Sequence, residues 1–283
     1  MSKSLRFTTG LMLLALLGAL VGMIVDPNVI TGVNGWLKPA KFAISTAIFS
    51  GTIAWIYGYL TPATRLKRLA ETLSAVQILE VAIIYVQAGR GTTSHFNQTT
   101  PLDGILFGVM GIGIAILWFA TIGVFLAALR QKFDDPAWGW AIRLGLLITA
   151  IGSAVGGLMI GHNAHTVGGL DGGPGIPGLG WSTEHGDLRI AHFFGLHGLQ
   201  AIPLFAWLVG KRRRATALIF TAAASYLGLI SILTWQALRG ESIVDPGSET
   251  LAALAVWLLL TAGVLTVFQM EGSHGSRAAV QSL

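Results

Sequence analysis

Seven histidines and 18 basic residues carry most of this chain's capacity for chemistry near neutral pH. Six of the histidines gather in three stretches: His95, then His162 and His165, then His185, His192 and His197. Neutral imidazole suits zinc, copper and iron, and a haem takes axial histidine. Haem b or a transition metal is therefore the cofactor expected, with His162, His165, His185, His192 and His197 as candidate ligands. Spacing narrows the choice. His192 and His197 are five residues apart, about 140° around a helix, so they cannot easily hold one ion or sandwich one haem. A bis-histidine haem would pair one of them with His162 or His165 on another helix, and Met110 is a further partner to weigh. The bland alternative is a set of hydrogen-bonded structural histidines at a membrane edge. With no cysteine, disulfides, thiolate ligands and cysteine nucleophiles are excluded. No HExxH, nucleotide-binding or nucleophile-elbow pattern occurs.

Cations form the second group. Residues 35–42 read GWLKPAKF and residues 186–193 read GDLRIAHF; residues 87–91 read QAGRG and residues 236–240 read QALRG. The offsets, 151 and 149 residues, are nearly equal and the order is kept. These motifs place Lys38, Lys41, Arg90, Arg189, Gln236 and Arg239 at helix ends, as a candidate site for an anion: a propionate, a phosphate, a lipid headgroup or an acidic substrate. Lys38, Lys41 and Ser45 share one helix face. The alternative is snorkelling, or pairing with Asp103, Asp187, Glu184 or Glu241. Glu80 stands in mid-span with Gln77 and Gln87 near its stripe, so Glu80 and Gln87, with His95, are candidates for moving protons. A neutral carboxylic acid bonded between helices is the structural reading of Glu80.

The elements that must position these residues are membrane helices. Of 283 residues, 53% are hydrophobic and 11% charged, and mean hydropathy is +0.68. So few charges cannot cover a soluble domain of this size, and nucleic-acid binding is excluded with solubility. Eight apolar stretches are long enough to span a bilayer: about 7–25, 38–60, 70–89, 104–129, 141–161, 190–210, 218–238 and 250–270. A signal-peptide reading of the first is disfavoured, because no clear cleavage site precedes Asp26 and the repeat needs this helix.

The fold expected is an all-α integral membrane protein of two parallel four-helix repeats, residues 1–140 and 141–283. Residues 162–189 form a long loop rich in glycine, and the second half needs about 16 extra residues there to keep the repeat aligned. An N-in/C-in orientation puts Lys3, Arg6, Arg65, Lys67, Arg68, Arg130, Lys132, Arg143, Lys211, Arg212, Arg213, Arg214 and Arg277 inside. Lys38, Lys41, Arg90, Arg189 and Arg239 are then the outer exceptions, on the side that holds all the histidines but His274. A plasma or inner membrane location with the polar site facing the outside or periplasm follows.

No motif assigns a named family. By helix number, duplication and histidine placement the architecture is similar to haem A synthase-like and cytochrome b-type membrane proteins, which build haem sites from facing helices. That resemblance implies a haem-dependent oxidoreductase. It departs from the pattern in that spans 2, 4 and 8 carry no histidine, so only the second half offers ligands. The alternatives are a transporter or receptor for an anionic small molecule or lipid, and an enzyme acting on a lipid-linked substrate. The partners expected are the bilayer and a small-molecule, lipid or quinone substrate.

Overall fold

The computed structural model describes residues 2–212 and 214–280, with side chains of the last helix described through Thr266; Arg213 and the side chains of His274 and Arg277 lie outside the described residues. It is an all-α multi-pass membrane protein. The long helices are α1 (Lys3–Val25), α2 (Leu37–Ile56), α3 (Thr64–Gly89), α4 (Pro101–Arg130), α5 (Pro136–His162), α6 (Leu188–Val209), α7 (Ala215–Leu238) and α8 (Ser248–Val280). All eight carry a stretch apolar and long enough to cross a membrane. Most run past the hydropathic spans by a polar turn. Their ends are set by caps: Thr100 accepts from the Asp103 amide, Asp135 from Ala137 and Trp138, and Asp187 from Arg189. These side chains satisfy amides that helix geometry leaves free.

The same neighbours pack in each half of the chain. α1 lies against α2 as α5 lies against α6, and these are the most extensive packings within each half; α3 meets α4 as α7 meets α8. α5 and α6 approach through glycine. A Cβ on Gly152 would sit 2.3 Å from the Gly195 Cα, so only glycine admits this crossing. At the end of α4, Arg143 from α5 donates to the Ala128 and Gln131 carbonyls and satisfies a helix C-terminus.

Two short antiparallel hairpins occupy one end of the bundle. Strands β1 (Val29–Ile30) and β2 (Val33–Asn34) lead into α2; β3 (Thr166–Val167) and β4 (Gly186–Asp187) lead into α6. Thr31 and Gly32, both at positive φ, close the first in a tight turn. The second carries residues 168–185 as a folded excursion. Its tip is held by a bridge between Gly175 and Ser182 and by the Ile176 amide donating to the Trp181 carbonyl at 2.8 Å.

Candidate functional site

The seam between α2 and α6, at the hairpin end, brings together residues from both halves. α2 contributes Lys38 and Lys41 from its first turns, and α6 contributes Arg189 from the equivalent position in its own. His95 comes from the α3–α4 connection; His165 and Asp171 come from the second hairpin. Asp187 is buried and is the most heavily bonded acid of the group. It accepts from the Ser182 amide at 2.9 Å and from the Arg189 guanidinium at 2.6 and 2.9 Å. His165 Nδ1 lies 3.1 Å from Asp171 Oδ1, and Asp171 also accepts from the Thr166 amide.

The excursion folds onto the cations. Lys41 Nζ donates to the Leu179 carbonyl at 2.7 Å, and Arg189 donates to the Gly180 carbonyl at 2.5 Å. Lys38 differs. It lies beside the Phe42 ring, 6.0 Å from its centroid, and it feels the charges of Arg189 and Asp171. Yet among the described residues no acceptor lies within hydrogen-bond distance of its ammonium group. A cation in this position without a partner is costly unless water or a ligand supplies one.

The histidines of the cluster are held neutral. Burial pushes His95 well below the ordinary histidine value, and Lys38 and His165 add to this. His165 is pushed down to about 4, first by burial and then by Arg189, against the pull of Asp171. Burial alone would raise Asp187, but its bonds to Arg189 and that charge outweigh it and hold the carboxyl below its usual range.

Deeper in the seam, His197 Nδ1 lies 3.1 Å from Gln200 Oε1, and Gln200 donates to Thr52 Oγ1 at 2.9 Å, linking α6 to α2. Because an amide oxygen can only accept, His197 carries its proton on Nδ1, leaving Nε2 with a lone pair. The His197 ring packs edge-on against Phe193, which packs against Trp181 of the excursion. From Arg189 to Gln200 this wall is about 16 Å long at the helical rise.

Other expected site residues lie elsewhere. His192 turns away from the seam to α5, donating from Nδ1 to the Gly152 carbonyl at 2.8 Å. His162 is exposed on the last turn of α5. Asn163 then takes a left-handed conformation and breaks the helix, so His162 and His165 share no helical face. His185 lies over Gly169. Met110 is buried with Ile83 and Ile84. Among the described residues, no three His, Asp or Glu side chains are placed to hold a metal ion.

The two Gln-Ala-x-Arg-Gly motifs form matching helix-end clasps, the second packed against the β3–β4 hairpin. Arg90 and Arg239 both end their helices at nearly equal φ and ψ, each followed by a glycine at positive φ. Gln87 and Gln236 each donate to the carbonyl six residues on, Thr93 and Ser242. Arg90 pairs with Gln87 and with buried Asp103 of α4; Arg239 pairs with Glu241 and with Glu249 of α8. Both arginines already have carboxylate partners, whereas Lys38 does not.

Glu80 is buried in the α3–α4 interface, separate from the seam. Sequence reasoning did not single out Gln200, Thr52, Asp171 or the carbonyls of Leu179 and Gly180. Polar residues in otherwise apolar helices would have flagged the first two; main-chain acceptors leave no residue-type signal. No protein-family model, curated protein or solved structure matches this chain.

Proposed function

We propose that this protein binds a small anionic molecule at the α2–α6 seam and serves as a transporter or receptor for it. The observation that carries this is Lys38, an ammonium group with no hydrogen-bond acceptor among the described residues, beside Arg189, His95 and His165. The anionic end, a carboxylate or phosphate, would take the place of that missing acceptor. Its apolar body would follow Phe42, Phe193 and the edge of His197. The positive-inside bias supports an outer or periplasmic side for this site, with both termini inside. The matched clasps and helix neighbours support reading the chain as two parallel four-helix repeats, with the site between them.

A test uses purified protein in detergent, titrated with acetate, octanoate, inorganic phosphate and octyl phosphate while thermal stability is followed. Ligands that bind the folded state raise the midpoint by mass action. The expected result is a shift with an anion bearing an alkyl chain, at least tenfold weaker in Lys38→Gln and in Arg189→Gln. Equal shifts in wild type and both variants would remove the reading.

His197 favours a second reading. Its Nδ1–H is fixed by Gln200 and its Nε2 has no hydrogen bond among the described residues, the arrangement found in metal-bound histidine. His197 would then hold a haem b and Lys38 and Arg189 would neutralise its propionates; such a group would supply one-electron chemistry. His192 does not fit as the second ligand, being turned to α5. An absorption spectrum of the purified protein decides. A Soret band lost in His197→Ala would favour haem; a colourless preparation that still binds anions would favour the first reading.

A further inference from the structure

Glu80 is unused by the seam. It is 5% exposed, and neither carboxyl oxygen has a hydrogen-bond partner among the described residues. It stands nine residues from one end of α3 and 16 from the other. That is about 13 and 24 Å along the helix, inside a hydrocarbon core about 30 Å thick.

Space is made for it. On α4 the facing residue is Gly113, where a Cβ would lie 2.8 Å from Glu80 Oε1. The polar groups nearest along the buried face of α3 are Ser74, also without a partner, and Gln77, whose amide oxygen accepts from Ser50 of α2 at 2.7 Å. The charged and titratable groups on every element packed against it are remote or committed. On α3, Arg90 is at the clasp, Arg65, Lys67, Arg68 and Glu71 are exposed near the other end, and the Tyr85 hydroxyl donates to the Ala15 carbonyl of α1. On α4, Asp103 is bound to Arg90, and Arg130 closes the opposite end. On α2, Lys38 and Lys41 sit in the first turns; on α1, Lys3 and Arg6 sit in the first turns. Among the described residues no cation faces the carboxyl, and an ionised group here would be without compensation.

We infer that Glu80 is a proton-binding site within the membrane, a carboxylic acid that exchanges its proton with solvent when α3 and α4 part at Gly113. The step is simple: the O–H bond breaks, water takes the proton and the carboxylate forms, and the reverse restores the acid. The Ser50–Gln77 bond nearby ties α3 to α2, the helix that also carries Lys38 and Thr52 of the seam. The site does not depend on what the seam binds.

Infrared difference spectra of the full-length protein in lipid vesicles test this, wild type against Glu80→Gln at neutral pH. The expected result is a protonated-carboxyl C=O band present only in wild type, which shifts in D2O as O–H becomes O–D. Gly113→Ala should slow that shift by crowding the carboxyl. Carbodiimide labelling of the wild type, read by mass spectrometry, needs no variant and should mark Glu80, because carbodiimides attack protonated acids in apolar surroundings. No band and no label would mean an ionised Glu80 and would overturn the inference. A band unmoved after days in D2O would mean a sealed structural acid and would overturn it equally.

Discussion

The chain enters α2 and α6 by the same device, a two-stranded hairpin, but completes it differently. The first hairpin turns on Thr31 and Gly32 alone; the second inserts residues 168–185 between its strands. The short turn redirects the chain and packs against Gly172 of the excursion. The long one brings Asp171 to His165, Ser182 to Asp187, and the Leu179 and Gly180 carbonyls to Lys41 and Arg189. A scaffold feature repeated in both halves thus becomes a site component in one. The extra length lies between α5 and α6.

The largest way to break this comparison is to make the hairpins alike. Replacing residues 168–185 with Thr-Gly should keep the helical circular dichroism and abolish anion-induced stabilisation. Retained binding would mean the excursion is no part of the site. Next is Asp187→Ala, which removes the buried acceptor of Arg189 and the cap of α6. It should cost about 3 kcal/mol, read as a fall in thermal midpoint, whereas the first hairpin has no equivalent acid to remove.

Acidification should act on the second hairpin too. His165 has a folded value near 4 and an unfolded value near 6.5, so between them the unfolded chain binds the proton and the folded chain does not. Stability should therefore fall as pH drops from about 6.5 to about 4, and the fall should be shallower in His165→Gln. His95 is depressed in the same sense and leaves part of the slope in that variant. The smallest effect is expected at the short turn. Gly32→Ala should cost about 1 kcal/mol for a left-handed backbone and leave anion binding unchanged.

Helix number and type were legible because a bilayer demands long apolar runs. Helix ends were less so, because caps such as Thr100, Asp135 and Asp187 lie beyond the hydropathic stretch. The pairs Arg90–Asp103, Arg189–Asp187 and Arg239–Glu241 follow the bland alternative for those cations. The sequence could gather the histidines on one side but could not say which face the seam. His192 and His197 diverge by their spacing, and the Gly152–Gly195 crossing sets the rotation of α6 and so which of them faces the seam; a helix's rotation depends on its neighbour. Lys38 and Arg189 match in the repeat, yet only Arg189 has an acid, since Trp36 stands where Asp187 does in the second motif.

That crossing also sets which wall of the seam is the firm one. α6 is fastened to α5 main chain against main chain, and the His192 bond to Gly152 adds a second fastening on the same side. Towards α2 it is joined by side chains alone, through Gln200 and Thr52. Prising α6 from α5 would open close-packed backbone, while moving α2 away breaks side-chain bonds, Gln200 to Thr52 and Lys41 to the Leu179 carbonyl. Arg189 is in effect a fixed post, and Lys38 and Lys41 ride on the jaw.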